Sequence, residues 1–338
     1  MYKKVKNRIS KMCDNLFIEE YANLIIFLIH HSKHPLILNK INKKALEIFK
    51  EVTPIKFEED IKFINEFITD IPALVLEDRD VKKVRDEILK KRDRAEILIK
   101  EKEKKDLNKK LNKDIEDTKF LSLINLSMKL LKILGQTLQN YWGSLKGDKK
   151  YTLTKEAYCL GLRTLHIFLF VCLYNLADNY DYLKERIGKI IKKKYKETSV
   201  DKKKIEKITK EYIFNFCCFV SFLFIKAISN SLGNVNLVET FKEVLKKNKY
   251  NSIYLIDISV KLDFFQSLPL DDIKYLKSRL EKNFLPYFLL KQMVTYYLYI
   301  SPIDYDLKQQ ICNMLDIPIR QQKYIQCYLK SSKSSKIP

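Results

Sequence analysis

The chain has 338 residues, of which 46% are hydrophobic and 12% aromatic, so it has ample material for a core in one large domain or two ordinary ones. Charged residues reach 31%, and only 6 Gly and 8 Pro interrupt the chain, which indicates helices. The 64 basic residues exceed the 42 acidic ones by 22. This excess favours binding to polyanionic partners such as nucleic acid. The alternative interpretation is a lysine-rich surface that only contacts solvent.

The N-terminus and the cysteines indicate the cellular compartment in which the protein is expected. Met1–Arg8 is basic but lacks an apolar core and a small-residue cleavage site, so no signal peptide is predicted. Seven cysteines, an odd number mostly inside apolar runs, predict buried thiols in a reducing compartment. No C-x-x-C pair occurs in the sequence, which leaves a zinc ribbon unsupported. We therefore expect a cytoplasmic protein.

The composition of residues 16–114 changes sharply near residue 79 and divides them into two segments. Apolar residues recur at helical spacing through residues 16–77, which predicts a first helical region. Residues 79–114 then hold 15 Lys/Arg and 9 Asp/Glu without Gly or Pro. Mixed charges of this kind predict either a long exposed helix or a partly disordered linker.

A pair of amphipathic helices is predicted within residues 118–183, joined by a turn at Gly143–Gly147. We predict Thr154 as the N-cap of the second helix, because Glu156 follows two residues later. Residues 184–211 hold 12 Lys/Arg against 5 Asp/Glu and form the densest basic cluster of the sequence.

The most hydrophobic stretch runs from Tyr212 to Ile228, at the lower edge of the length that spans a bilayer. Lys flanks both ends and no second convincing span accompanies it, so we interpret it as a buried core helix with Gly233 as its C-cap. The tail from Arg320 is basic and is predicted to be frayed. Five shorter helices, bounded by prolines, are predicted at 236–248, 252–266, 270–282, 285–300 and 304–315.

These elements predict an all-α protein, a multi-helix bundle or irregular helical array in which a charge-rich segment joins two helical parts. The predicted divisions are an N-terminal helical region at 1–78, a charged helix or linker at 79–117, a C-terminal helical domain at 118–330 and a disordered tail at 331–338.

The glycines and histidines predict no nucleotide or metal site. Gly143 and Gly147 are four apart and followed by Asp148, whereas a P-loop needs glycines five apart and then Lys and Ser/Thr, so a helix-to-helix turn is favoured. His30 and His34 have a spacing that can chelate a metal, but Pro35 follows at once. A polar helix end is favoured there, and no cofactor is expected.

Two further patterns contain residue types that can act in catalysis. Helical RNases of the HEPN type place Arg and His with a longer gap than Arg163 and His166 have here, so a core histidine is favoured. Asp257 and Asp263 are six apart and face different directions on a helix. A cap for Asp257 and a surface ion pair with Lys261 are favoured, and no catalytic residue is predicted.

The basic cluster supplies the candidate nucleic-acid contacts. Lys meets phosphate as a point charge and indicates backbone contact without sequence readout, while a solvated helix face is the alternative. The candidate residues are Lys189, Lys192, Lys193, Lys194, Lys196, Lys202, Lys203 and Lys204.

Six segments of the sequence bear on its family: EYANLIIFLIHH at 20–31, DIPALVLE at 70–77, ILGQ at 133–136, NYWGSL at 140–145, EAYCLGLR at 156–163 and DISVKLD at 257–263. Together they resemble the helical region C-terminal to the NTPase module in bacterial STAND-type (NACHT-like) NTPases, many of which act in antiphage defence. The P-loop and Walker B motifs of that family do not occur in this sequence, so the resemblance carries over no catalytic residue.

The resemblance implies a non-catalytic, sensor-like interaction protein that binds a protein or nucleic-acid trigger and relays it to a protein partner, such as an NTPase or effector encoded nearby. A basic nucleic-acid-binding module is the first alternative, and a helical RNase-type abortive-infection effector centred on Arg163 and His166 is the second. No membrane partner is expected.

Overall fold

The computed structural model describes residues 2–32, 35–70, 72, 74–106, 115–195, 201–265 and 268–321. Over these residues the protein is all-α, as the sequence predicts, and its only strands are two of three residues each. The α-helices are α1 Tyr2–Asp14, α2 Glu19–His31, α3 Pro35–Glu47, α4 Val81–Asp106, α5 Ile115–Tyr141, α6 Gly147–Asp178, α7 Tyr180–Tyr195, α8 Lys202–Leu232, α9 Val238–Lys247, α10 Asn251–Phe264, α11 Leu270–Leu280, α12 Phe284–Ile300 and α13 Tyr305–Met314. Short 3-10 helices occupy Lys62–Phe67 and Val235–Leu237, and the strands are β1 Leu76–Asp78 and β2 Ile319–Gln321.

The chain forms two compact units, and each is built from two separate stretches. The first unit comprises residues 1–71 and 115–289, and the second comprises residues 72–114 and 290–338. The boundaries predicted from composition at 78, 117 and 330 are not tested by this grouping and stay predictions. Of the charge-rich segment, Val81–Asp106 is helical, while residues 107–114 and the predicted tail at 331–338 lie outside the described residues.

Helix α8 lies at the centre of the first unit and packs against α5, α6, α7, α10 and the 3-10 helix Lys62–Phe67. Its buried side chains point in several directions around the helix, because neighbours cover it on more than one side. A ring contact reinforces the packing of α8 on α6, with the centroids of Phe168 and Phe224 5.8 Å apart, and a second joins Phe214 of α8 to Phe288 of α12 at the same distance. The buried residues of α8 include Ile213, Phe214, Cys217, Cys218, Ile225, Ile228 and Leu232.

Two glycines set how closely α5 and α6 approach α8. A Cβ added at Gly135 of α5 would lie 1.9 Å from the Ser231 carbonyl oxygen, and one at Gly161 of α6 would lie 2.4 Å from Ile228 Cγ1. Both distances are far inside van der Waals contact, so these helix crossings exist only because the two positions lack a side chain.

The second unit contains a parallel strand pair beside the later helices. Leu76 pairs with Ile319 in β1–β2, and the Glu77 backbone N–H donates to the Tyr299 hydroxyl at 2.9 Å. Lys291 Nζ donates to the Asp316 carbonyl at 3.0 Å and so ties α12 to the turn before β2. The all-α prediction did not anticipate these strands, because each is short and its partner lies far away in the sequence.

The helix assignments made from the sequence are confirmed in α5, α6 and α8–α13, with one correction. Thr154 is not an N-cap, since α6 begins at Gly147 and Thr154 lies buried inside the helix. Gly233 does cap α8, its N–H donating to the Ser229 carbonyl at 2.8 Å. Its φ is negative, and the position requires Gly because a Cβ would lie 2.1 Å from the Phe264 ring.

Four of the six cysteines that the structure describes agree with the expectation of buried thiols, while Cys159 and Cys172 are half-buried. Cys13, Cys217, Cys218 and Cys312 are buried and not in disulfides, while Cys327 lies outside the described residues. Burial raises the pKa of the Cys217 thiol to about 12, because the thiolate would lose its hydration there. These side chains therefore behave as small apolar core residues.

Two helices, α6 and α8, are long and apolar enough to cross a membrane by length and composition, so the expectation that no second such stretch accompanies Tyr212–Ile228 was wrong. Half of the apolar window in each is buried inside the protein. Length and composition alone do not distinguish a core helix from a membrane span, since both carry long runs of apolar side chains. That the protein has no membrane partner stays a prediction.

The substitution Gly135→Ala tests the close crossing of α5 and α8. The new methyl group would meet a backbone carbonyl that no rotamer change can move, so we expect the free energy of unfolding to fall by about 2 kcal/mol in urea denaturation. Gly143→Ala is the matched control, because nothing lies within 4 Å of its added Cβ. Equal stability of the two variants would contradict the packing described for this crossing.

Candidate nucleic-acid interface

Helices α7 and α8 form a hairpin that presents the basic cluster to solvent. Ile187 and Ile191 are buried on one side of α7, and a Cβ at Gly188 would lie 3.1 Å from Ile205 Cδ1 of α8. Because the apolar side of α7 faces α8 in this way, the polar positions of α7 project outwards. The hairpin therefore has an apolar contact between α7 and α8 on one side and a charged, solvent-exposed surface on the other.

Six of the eight predicted lysines have described side chains, and all six are exposed. Lys189, Lys192 and Lys193 lie on α7, and Lys202, Lys203 and Lys204 form the first turn of α8. For Lys194 only the backbone helix is described, and Lys196 lies outside the described residues. Only six residues separate the end of α7 from the start of α8, so the lysines near these two helix ends meet at one end of the hairpin.

Ion pairs divide these lysines into two groups. Lys189 Nζ lies 2.5 Å from Glu185 Oε1, and this hydrogen bond lowers the pKa of the Glu185 carboxyl. Within the described part of the chain, Lys192, Lys193, Lys202 and Lys203 have no carboxylate partner. We call these four residues the lysine end. Their charges are not neutralised locally, whereas that of Lys189 is.

The helix ends modify the field at the lysine end. The C-terminal carbonyls of α7 favour the positive charges of Lys192 and Lys193, while the N-terminus of α8 adds its own positive potential to Lys202 and Lys203. No acid stands in the first turn of α8, and the Asp201 side chain caps the helix by accepting from the Lys203 N–H at 3.0 Å. The Asp201 carboxylate and the α7 carbonyls offset part of the positive potential, and the four ammonium groups leave a net positive charge on this exposed surface.

A groove of mixed charge limits how far the basic surface extends. Its volume is about 360 Å³, and it lies between the first half of α8 and residues 66–70. Phosphate would meet carboxylates as well as lysines there, so the basic surface is confined to the end of the hairpin. The charged residues lining the groove are Lys203, Lys207, Lys210, Glu66, Asp70, Glu206 and Glu211.

The Arg163 and His166 side chains do not converge on a common site. Arg163 is buried, and its Nη2 donates to Glu156 Oε1 at 2.6 Å and to the Ala45 carbonyl at 2.9 Å. Burial raises the pKa of Glu156, and Arg163 opposes that rise. His166 is half-buried and lines a surface groove, so it is not the core histidine that the sequence predicts, and it donates its Nδ1–H to the Thr53 carbonyl at 2.8 Å. A phosphodiester at the surface would not reach Arg163, so this geometry gives the RNase hypothesis no site.

Asp257 and Asp263 face different partners, as their spacing predicts. Asp257 pairs with Lys261 at 2.8 Å, which confirms the pairing, but the pair is buried and lies mid-helix, so it is neither a surface ion pair nor a helix cap. Lys261 also pairs with Asp272 of α11 at 2.8 Å. Asp263 binds Lys226 of α8, with Nζ 2.7 Å from Oδ1. These contacts hold α10 to α8 and α11.

The histidines and glycines show no ligand site in the described ranges. Helix α2 ends at His31, Asn140 Nδ2 lies 3.0 Å from His30 Nδ1, and His34 lies outside the described residues. No group of three or more His, Cys, Asp or Glu side chains there is placed to hold a metal ion. Gly143 lies in the turn between α5 and α6, and Gly147 begins α6, which confirms the helix-to-helix connection.

The substitution Lys226→Met tests the buried pair between α8 and α10. It leaves the Asp263 carboxylate buried without its cation, and we expect the free energy of unfolding to fall by about 3 kcal/mol. Lys242→Met is the control, because its pair with Glu239 is exposed and such pairs contribute less than about 1 kcal/mol. Urea denaturation at neutral pH measures both, and similar losses would contradict the structural role of the buried pair.

The chain matches no family model, no curated protein and no solved structure. The resemblance to the helical region of STAND-type NTPases therefore stays a prediction. What the molecule does has to be argued from its own surfaces, and the lysine end is the one that the sequence and the geometry single out together.

Proposed function

We propose that this protein acts by binding rather than by catalysis, and that it binds nucleic acid through phosphate contacts at the lysine end. The observation that carries this proposal is the meeting of Lys192, Lys193, Lys202 and Lys203, exposed and without carboxylate partners, at one end of the α7–α8 hairpin. Four unneutralised cations at one place attract a polyanion more strongly than the same charges spread over the surface.

Contact of this kind positions a nucleic acid without reading its sequence. A lysine ammonium meets a phosphate oxygen as a point charge, whereas base recognition in a groove needs the bidentate geometry of Arg, Asn or Gln. The net charge of +22 adds a long-range attraction that speeds encounter at low salt. The proposed ligand class is therefore nucleic acid in general.

A sensor-like role in defence is the second candidate, in which a bound trigger is relayed to a protein partner such as an NTPase. One structural observation favours a protein contact. An apolar groove of about 360 Å³ lies between Phe63 and the C-terminal half of α6, where Phe170 and Tyr174 are each 61% exposed. Exposed aromatic surface of this extent is typical of protein interaction sites.

Charge neutralisation tests the first proposal. Changing Lys192, Lys193, Lys202 and Lys203 together to Gln removes up to four phosphate contacts, so we expect the slope of log K against log salt for duplex DNA to become shallower by roughly 3 to 4. Fluorescence anisotropy over a salt series measures the slope.

The control changes four paired and exposed lysines, Lys43, Lys50, Lys242 and Lys247, to Gln, and so removes the same net charge. We expect this control to keep most of the affinity and the steep slope. Equal losses in both variants would mean that only net charge matters, and binding that is absent or insensitive to salt would remove the proposal.

A further inference from the structure

An open groove lies between α1 and α2, apart from both the lysine end and the buried core. Its volume is about 670 Å³. Val5, Ile9 and Met12 recur along one side of α1, and Tyr21, Leu24 and Leu28 recur along the facing side of α2, both at helical spacing. Two apolar stripes that line the same groove form a surface on which a third helix can pack.

The apolar side chains of this groove are exposed to an unusual degree. Val5 is 51% exposed, Leu24 is 47% exposed and Phe27, which also lines the groove, is 57% exposed. Contiguous apolar surface in a soluble environment marks an interaction site more often than isolated exposed residues do.

The charged residues that line the groove indicate which class of ligand it binds. Arg8 and Lys11 line the same groove, and within the described residues neither side chain has a carboxylate partner. Among the residues whose side chains the structure describes, no acid lines the groove. An occupant that satisfies both features has an apolar stripe flanked by carboxylates.

The groove exists before any occupant arrives, because α3 fixes the end of α1. Lys40 Nζ lies 3.2 Å from Asp14 Oδ1, and Lys44 Nζ donates to the Cys13 and Asp14 carbonyls that α1 leaves unpaired at its C-terminus. A preformed groove lowers the ordering cost of binding.

We propose that the α1–α2 groove docks an acidic amphipathic helix of a partner protein. A concave channel between two helices matches the cylinder of a third helix, whereas a bilayer presents a flat surface. A second copy of this chain would bring Arg8 and Lys11 against the same two cations, which opposes a symmetric dimer. The proposal is independent of nucleic-acid binding, since the groove and the lysine end share no residue.

Two synthetic helical peptides test the docking site. Both carry Leu at i, i+3, i+4 and i+7, and their flanking positions are all Glu in one peptide and all Lys in the other. We expect the Glu peptide to bind at least about tenfold more tightly in fluorescence anisotropy at roughly 0.1 M salt. The double variant Arg8→Glu/Lys11→Glu should invert this preference.

Phe27→Ser should weaken binding of the Glu peptide about tenfold, because it removes an exposed aromatic contact from the groove. Phe219→Ser is the matched control, since Phe219 is also 57% exposed but lies on α8 and should leave the affinity unchanged. The variant with Gln at the four residues of the lysine end should also bind the Glu peptide normally, which separates this result from the nucleic-acid proposal.

Three outcomes overturn the inference. The first is equal affinity for the Glu and Lys peptides, or a preference that the Arg8 and Lys11 changes do not invert. The second is binding to phosphatidylglycerol vesicles that Phe27→Ser abolishes without any peptide binding, which would assign the groove to a membrane surface. The third is a dimer in sedimentation that Phe27→Ser dissociates, which would assign it to a second copy of this chain.

Discussion

The close approach of α5 and α6 to α8 is the constraint on which the first unit depends. At Gly135 the backbone of α5 comes so near the Ser231 carbonyl that even a methyl group does not fit. Interior packing at this density transmits small displacements, so the positions of α7 and α10, which also pack on α8, follow from the same crossings. The α7–α8 hairpin that carries the lysines therefore includes the same helix that Gly135 and Gly161 allow α5 and α6 to approach.

Helix locations were accessible from the sequence because they are set by local features. Apolar periodicity and proline placement predict α9 to α13 closely, and the turn at Gly143 separates α5 from α6. The start of α6 was missed, since the polar residues around Asp148 resemble a loop while the helix already runs through them. The β1–β2 pair was also missed, because three-residue strands gain their stability from a partner more than two hundred residues away.

The candidate site was predictable in part. The density of Lys between residues 184 and 211 marks the α7–α8 hairpin, and the i, i+4 spacing of Glu185 and Lys189 already indicates that this lysine is neutralised. The sequence did not show that Glu66 and Asp70 would lie beside the first half of α8, because that contact joins segments far apart in the chain. The α1–α2 groove was missed for a related reason: apolar periodicity marks a face that packs, and does not say whether this chain or another protein covers it.

The first unit is assembled from two stretches of chain that residues 72–114 separate. Helices α2 and α3 pack on α5 across this excursion, so their contacts form only after the ribosome has delivered the later helices. The entropy of closing such a loop grows only with the logarithm of its length, and each doubling costs about 0.6 kcal/mol. Insertions or deletions within the excursion would therefore cost the first unit little stability, whereas those that reach β1 would disturb its pairing with β2 in the second unit.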